Sequence, residues 1–270
     1  MEKKRVLYVA QEIMPYLPES PISKIGRYLP QKIQERGKEI RVFMPRYGLV
    51  NERRNQLHEV IRLSGMNLII DEIDYPLIIK VASIQQARMQ VYFIENEDYF
   101  QRKFLFHDAD GKFFDDNDER AVFFAKGVLE TVKKLGWAPD IVHIHGWFTS
   151  LVPLFMKTAY KDNPLFSDSK IIVSLYDEAF TEKFKKDFPE KIKMSGIKDD
   201  DLKYYKDADY VSLMQGAIDF SDAFIMGSEK IDGKILDMVK TSGKPLLDYQ
   251  GEEEYFDAFN EFYDKIIEGD

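Results

Sequence analysis

The chain has 270 residues, of which 44% are hydrophobic and 14% aromatic, enough to bury a core in one large domain or two small ones. Its 47 acidic residues outnumber its 38 basic residues, and the net charge of −9 argues against a nucleic-acid-binding surface. The lack of cysteine excludes disulfides, thiolate metal sites and a cysteine nucleophile, and it fits a reducing compartment. With no secretory leader and no apolar run of about 18 residues, the sequence predicts a cytoplasmic protein without a membrane segment.

The spacing of apolar residues predicts strands that alternate with helices. In chain order, the predicted elements are strand 6–10, helix 22–36, strands 39–45, 57–63, 75–82 and 89–94, helix 119–135, strand 140–145, helix 148–160, strand 170–175, helix 209–220, strand 223–227 and helix 252–267. Short continuous apolar runs are typical of parallel strands buried on both faces. The alternation indicates a doubly wound, Rossmann-like α/β fold on a parallel sheet, with an antiparallel meander between 57 and 94 at its edge.

Four charged or aromatic segments need separate interpretation. The Lys-rich segment 180–210 predicts a mobile surface loop. The acidic stretches 199–201 and 252–254 are interpreted as solvated charges rather than cation sites, because a cation needs oxygen ligands that converge in space. The last helix has a wide aromatic face, which favours packing on the domain, with partner binding as the alternative.

Four sequence blocks match a known pattern in their order and spacing. The first runs from RVLYVAQEI at 5–13 through LP at 29–30 to VFMPRYG at 42–48. The second, at 116–124, reads DNDERAVFF, similar to D-N-x-x-R-F-x-F-F. The third, at 139–149, reads PDIVHIHGWFT, similar to P-D-I-V-H-x-H-D-W-H-T, and the fourth, at 216–228, reads GAIDFSDAFIMGS, similar to G-I-x-Y-A-D-x-V-x-T-V-S. In these blocks the chain resembles the bacterial glycogen/starch synthases, which are ADP-glucose-dependent glucosyltransferases.

This resemblance implies a GT-B-type glycosyltransferase, in which a cleft separates two Rossmann-like lobes. The second lobe of the family supplies most of the nucleotide pocket, and we expect residues 229–270 to be too few to encode such a lobe. Residues 1–250 are then a single synthase-like N-terminal lobe. Residues 251–270 are an amphipathic helix packed on it, similar to the family's last helix, which returns to the first lobe.

The resemblance fails at the donor loop. Pro18, Glu19, Ser20 and Pro21 stand where the family carries Lys-x-Gly-Gly. A lysine supplies a positive point charge to a phosphate, and glycines let backbone N–H groups approach it closely. Glu19 has the wrong sign and Pro21 has no N–H to donate. The loop is therefore present at full length without its phosphate-binding groups.

The third block keeps part of the family's sugar site. His145 matches the histidine that contacts the donor sugar, and the alternative is a strand-end histidine hydrogen-bonded to backbone. Trp147 is retained, whereas Gly146 and Phe148 replace Asp and His. His143 is expected on the opposite face of the strand, buried in the sheet.

Two further pairs are candidate substrate-binding residues. Tyr176 and Asp177 follow a strand where the family reads V-H-N, so the carbohydrate-contacting pair is altered. Asp116 and Asn117 match the second block, and the alternative is that they only start and cap the helix that follows.

No other motif predicts catalysis. The sequence contains no HExxH, GxSxG or Walker loop, and we expect no catalytic residue, no metal site and no cofactor. We favour a non-catalytic lobe that acts in α-glucan metabolism as a binding or regulatory protein, with weak affinity for ADP-glucose or α-glucan. One alternative is an active half completed by a second lobe from another chain, and another is a cleft adapted to some small ligand.

Loops after successive strands also predict a solvent-facing aromatic rim. Its residues are Met14, Tyr16, Leu17, Trp147, Phe148, Tyr176 and Phe180. An exposed rim of this kind predicts self-association or a second-lobe or synthase partner, with stacking on glucan as the rival.

Overall fold

A computed structural model describes residues 3–251 and 255–269. The strands are β1 (Arg5–Ala10), β2 (Glu39–Pro45), β3 (His58–Glu59), β4 (Met66–Ile70), β5 (Ile73–Ile84), β6 (Met89–Glu95), β7 (Ile141–His145), β8 (Lys170–Leu175), β9 (Ala223–Met226) and β10 (Leu246–Leu247). The helices are α1 (Pro21–Glu35), α2 (Glu52–Asn55), α3 (Glu97–Phe100), α4 (Asn117–Leu135), α5 (Val152–Lys157), α6 (Phe188–Ile192), α7 (Tyr210–Phe220), α8 (Gly233–Ser242) and α9 (Tyr255–Glu268). The acidic stretch predicted at 252–254, with the predicted start of the last helix, lies outside the described residues.

The strands form one sheet in the order β10-β9-β8-β7-β1-β2-β6-β5-β3, and β4 pairs with β5 outside this path. Neighbouring strands from β10 to β6 are parallel. At the other edge, β5 is antiparallel to β3, β4 and β6. The doubly wound α/β fold and its antiparallel edge are confirmed.

The chain winds in opposite directions from the centre of this sheet. α1 leads from β1 to β2, whereas α5, α7 and α8 lead the other way, from β7 to β10. Because such crossovers are right-handed, the two sets of helices cover opposite faces. The boundary between β1 and β7 is therefore the topological switch point, where a crevice forms beyond the carboxyl ends of the strands.

α9 packs on the same face as α1. Its Tyr263 is buried, with its hydroxyl 2.6 Å from Nδ1 of His143 on β7. Lys38 Nζ pairs with Asp264 Oδ1 at 2.7 Å. Aromatic side chains of α9 thus cover the β7 surface, and ion pairs at its edge hold it beside α1. None of the helices in the described ranges is long and apolar enough to cross a bilayer.

Several predicted elements differ from those observed. The strand predicted at 57–63 is reduced to β3, since the chain turns back after Glu59 and Ile61 faces solvent. The helix predicted at 148–160 is a 3-10 turn followed by α5, which has Pro153 in its first turn, where the missing N–H is tolerated. β4, α8 and β10 were not predicted, so 223–227 is not the last strand.

The segment 180–210, predicted as a mobile surface loop, is packed onto the domain by its apolar side chains. Phe184, Phe188, Ile192, Leu202 and Tyr205 are buried in the main core. Its charges alternate with these anchors and largely face solvent, which is why composition alone suggested a loop.

Candidate functional site

A hydrogen-bonded cluster fills the switch point. Gln11 directly follows β1, and its Nε2 donates to Glu12 Oε1 at 3.1 Å and to Glu178 Oε2 at 3.2 Å. Its Oε1 accepts from the backbone N–H of Phe148 at 3.2 Å. We call Gln11, Glu12, Ser20, Gly146 and Glu178 the switch-point cluster.

Gly146 is required by the position of Gln11. Its φ of 90° and ψ of 150° lie in a region open almost only to glycine. A Cβ there would lie 2.2 Å from Cδ of Gln11. The glutamine amide therefore occupies the space that a side chain at position 146, such as the aspartate of the matched motif, would need.

Changing Gly146→Ala is expected to destabilise the protein, and part of the loss should disappear when Gln11→Ala is added. Removing the glutamine relieves the overlap, so the two substitutions should couple by about 1–3 kcal/mol. Urea unfolding of the two single variants and the double variant measures this coupling. Gly136→Ala is the control, because Gly136 also has positive φ but open space around it, and it should not couple to Gln11. Additive losses at Gly146 and Gln11 would contradict the overlap.

The loop at 18–21 forms the N-terminal cap of α1. Ser20 Oγ accepts from the N–H of Ser23 at 3.0 Å and donates to Glu12 Oε2 at 2.7 Å. Pro21 is the first helical residue, and exposed Glu19 pairs with Lys24 at 3.5 Å. The hydroxyl of this loop is thus engaged by the helix and by a carboxylate of the same chain.

The electrostatics of the cluster disfavour a second anion. A helix N-terminus carries a partial positive charge and unpaired N–H groups, and the first turn of α1 contains no acidic residue. The Glu12 carboxylate instead lies at the N-terminus of α1, where it accepts a hydrogen bond from the Ser20 hydroxyl. Burial, with a smaller contribution from the nearby negative charge of Glu12, raises the pKa of the Glu178 carboxyl to about 8. The Glu12 carboxylate therefore lies beside the N-terminus of α1, and Gln11 links it to the Glu178 carboxyl.

The prediction that His143 and His145 lie on opposite faces is wrong. Their ring centroids are 3.9 Å apart, because residues two positions apart in a strand point to the same face. His143 is buried as predicted, with Nε2 2.7 Å from Ser174 Oγ and Nδ1 bonded to Tyr263. Burial, together with His145, lowers the pKa of His143 well below its usual value, so this pair is neutral.

His145 lies beside Tyr176, and two predicted site residues are thereby brought together. Nδ1 of His145 is 2.8 Å from the Tyr176 hydroxyl, so its partner is a side chain rather than backbone. Nε2 is buried and has no hydrogen-bond partner among the described residues. Burial lowers the pKa of His145 to about 3. The side chain is a neutral imidazole with one unused nitrogen, enclosed at the end of β7.

The prediction of a solvent-facing aromatic rim is wrong. Trp147 is 4% exposed and Phe148 is fully buried, and Tyr16, Leu17 and Tyr176 are buried too. Trp147 contacts a cluster of phenylalanines supplied by two loops: Phe106, Phe113, Phe180 and Phe184. These rings close the site from the 101–116 and 180–184 loops instead of facing a cleft.

The remaining predicted residues have other partners. Both carboxylate oxygens of Asp116 pair with Arg102, and Asp116 precedes α4 without a side-chain cap bond. Asn117 is fully buried and its Nδ2 donates to the carbonyl of Phe106 at 2.8 Å. Asp177 is exposed, and its backbone N–H donates to Ser228 Oγ at 3.1 Å. In the described ranges, no group of three or more His, Asp or Glu side chains is arranged to hold a metal ion.

Sequence reasoning did not single out Gln11, Glu12 or Glu178. A usable signal existed, because residues directly after parallel strands meet at the switch point of a doubly wound sheet. Gln11 and Glu12 follow β1 at once, and Glu178 lies three residues after β8. Their bonding could not be predicted, since Gln11 and Glu178 are 167 positions apart.

The chain folds as a doubly wound lobe with a polar cluster at the carboxyl ends of its parallel strands, and this fold matches one lobe of a GT-B-type glycosyltransferase. The family model for the starch synthase catalytic domain matches residues 5–244, and the chain belongs to that family. It is a glycogen/starch synthase-related glycosyltransferase domain.

The relatives place this domain within longer proteins. The glycogen synthases of Chlorobium limicola and Chlorobaculum tepidum are 40% and 38% identical to it over 174 residues, which is 64% of this chain and 36% of each relative. The chain thus spans little more than a third of their length. The catalytic domain of starch synthase IV from Arabidopsis thaliana, in a structure bound to ADP and acarbose, matches with a TM-score of 0.74 at 18% identity, over 93% of this chain and 52% of that one, and has the same fold.

Proposed function

We propose that this lobe does not transfer glucose by itself and that it acts in α-glucan metabolism as a binding or regulatory protein. The observation that carries the proposal is the Glu12 carboxylate, which is bonded to the Ser20 cap at the N-terminus of α1. In the matched family this loop carries the Lys-x-Gly-Gly donor motif. Here an internal anion takes the place where the donor diphosphate would be held.

Electrostatics support weak donor binding. Departure of a diphosphate requires positive charge or N–H donors at the developing anion, and losing one such contact costs about 10²–10³ in rate. The loop offers Glu19 and two prolines instead. The Glu12 carboxylate, bonded to Ser20, adds to the unfavourable field.

We retain His145, Trp147, Tyr176, Asp177, Asp116 and Asn117 as the proposed substrate-binding remnant, with α-glucan or ADP-glucose as weak ligands. Of these, His145 has the best-supported role because of its unused Nε2. Asp116 and Asn117 support it only indirectly, by holding the 101–116 loop that packs on Trp147. The proposed location is the cytoplasm, in keeping with the cysteine-free sequence.

No observation favours the alternative of an active half completed by another chain. That alternative needs a donor loop able to hold a diphosphate once a second lobe has docked, and Ser20 is committed to Glu12. The buried rim also removes the main reason to expect self-association or a synthase partner through Trp147 and Phe148.

The 270-residue chain is expected to incorporate no glucose from ADP-glucose into glycogen. The physical reason is the internally neutralised donor site. The measurement follows labelled glucose into polymer, beside a heat-inactivated control and an active glycogen synthase. Incorporation above the inactivated control would overturn the proposal.

ADP-glucose is expected to bind with a Kd of about 1 mM or weaker, equivalent to roughly −4 kcal/mol. Changing Pro18→Lys, Glu19→Thr, Ser20→Gly and Pro21→Gly together should tighten binding about tenfold, because a charge and backbone donors are restored. The matched control keeps the last three changes but has Pro18→Met, which restores flexibility without the charge. Calorimetric titration compares the three proteins, and low-micromolar binding by the unmodified chain would contradict our interpretation of the loop.

A further inference from the structure

An aromatic pocket opens between α1, the end of β9 and the first turns of α9. Two of its lining residues, Met226 and Phe259, are buried. The rings around them are Tyr28, Tyr249, Tyr255 and Phe256. Pro21, the residue after the Ser20 cap, also lines the pocket, which therefore begins where the donor loop ends.

The polar groups of this pocket favour a neutral ligand. Among the described lining residues Lys24 alone is charged, and its Nζ lies 3.5 Å from Glu19 Oε1, so much of its charge is balanced. Gln250 and the tyrosine hydroxyls provide uncharged donors and acceptors. The lining thus combines apolar ring faces with hydroxyl, amide and amine groups.

The pocket belongs to a fixed part of the fold. α9 is held to the sheet by the bond between Tyr263 and His143, and to the end of α1 by Arg36, whose guanidinium pairs with Asp257. Gly227 also lines the pocket, and it packs so closely on Tyr176 that a Cβ there would lie 2.5 Å from the ring. Neither Tyr28 nor Tyr249 takes part in these contacts, so replacing them should leave α9 in place.

Size limits the ligand to one ring. The volume of the pocket is about 240 Å³, below the range of roughly 300–1,000 Å³ for pockets that hold drug-sized molecules. A pyranose ring presents C–H faces to aromatic rings and hydroxyls at its edge, and tyrosine has an apolar body with a polar tip. Tyr28 and Tyr249 are 42% and 43% exposed, which leaves their rings accessible from outside.

We propose that this pocket binds one glucosyl ring of an α-1,4-glucan, with the rest of the glucan chain outside. The choice of substrate class rests on the proposed function, whereas the position and the single-ring limit rest on the pocket itself. The surface lies on α1 and α9, its lining does not include His145 or Trp147, and it would hold glucan without any transfer step.

The test titrates the full chain with maltoheptaose, by calorimetry or by ligand-observed NMR. Tyr28→Ala with Tyr249→Ala is expected to weaken binding at least tenfold, because two stacking surfaces are lost. Phe104→Ala is the matched control, since Phe104 is 42% exposed and does not line the pocket, and it should bind as the unmodified chain does. Tyr28→Phe with Tyr249→Phe separates stacking from hydroxyl bonding and should retain most of the affinity. Circular dichroism confirms that each variant is folded.

Two results would overturn the proposal that the pocket binds a glucosyl ring. One is maltoheptaose binding that the double alanine variant leaves unchanged, and the other is no binding by the unmodified chain at millimolar concentrations. Tyrosine-dependent binding of adenosine that maltoheptaose cannot displace would also overturn it, by assigning the pocket to a nucleobase. The proposed function is judged by the glucose-incorporation assay, so its failure and the failure of the pocket are distinguishable.

Discussion

Replacing Lys191 with methionine is expected to lower the free energy of unfolding by about 3–5 kcal/mol, the typical cost of breaking a buried ion pair from one side. Lys191 is 2% exposed, and its Nζ lies 2.9 Å from Asp118 Oδ2 and 2.7 Å from Glu119 Oε1. Burial raises the pKa of the Asp118 carboxyl, and the hydrogen bond and positive charge of Lys191 partly counteract this rise. Without the lysine, a buried carboxylate has lost its counter-ion.

The pH dependence of this loss follows from the same charges. In the variant, the pKa of Asp118 in the folded state should rise further above its value in the unfolded chain. The penalty is then largest at pH values above that folded pKa and shrinks as the pH falls and the carboxyl becomes protonated. Urea unfolding at several pH values measures it.

Lys193→Met is the matched control for Lys191→Met. Lys193 is two residues away, and its ion pairs with Glu190 and Asp199 lie at the surface, where they contribute little. We expect its unfolding curve to match that of the unmodified chain. Equal losses for the two lysines would show that α6 is not held to α4 by the buried charges.

Replacing Phe148 with alanine is expected to cost about 3–5 kcal/mol, because the change removes a large ring from a closed core. The ring lies within 6.4 Å, centroid to centroid, of Tyr47, Phe100, Phe106 and Phe124. Arg120, which is also buried, has its guanidinium 5.8 Å from the ring. A cavity here would lie beside a buried cation and could not collapse freely.

Chemical or thermal unfolding tests this prediction, with Phe104→Ala as the control for a half-exposed ring. The control should lose less than about 1 kcal/mol. If Phe148→Ala unfolds like the control, Phe148 faces solvent and the original prediction of an open rim is correct. If Phe148→Ala is destabilised and Phe104→Ala is not, Phe148, which replaces a histidine of the family motif, lies inside the core.

The strands of the sheet were the most predictable part of the fold. The strand predicted at 170–175 is β8, and 39–45 is β2, because strands buried on both faces appear as continuous apolar runs. The strand predicted at 57–63 was too long, because its apolar residues include Ile61, which does not pack on the core. Side chains repeat every two residues along a strand, so His143 and His145 could have been predicted to share a face. The prediction that they lie on opposite faces misapplied this period.

The sequence by itself determined the parallel sheet, the family and the replacement of the donor motif at 18–21, because each is written in local patterns or in blocks of matched residues. Only the tertiary structure decided what replaced the lost chemistry. Gln11 meets the backbone of Phe148 across 137 positions of chain, and Trp147 is buried by rings from two distant loops. Such contacts depend on which strand ends adjoin at the switch point and which loops fold over them. No local pattern specifies them, since a glutamine after a strand or a tryptophan after a histidine has the same local preferences whether it faces solvent or the core.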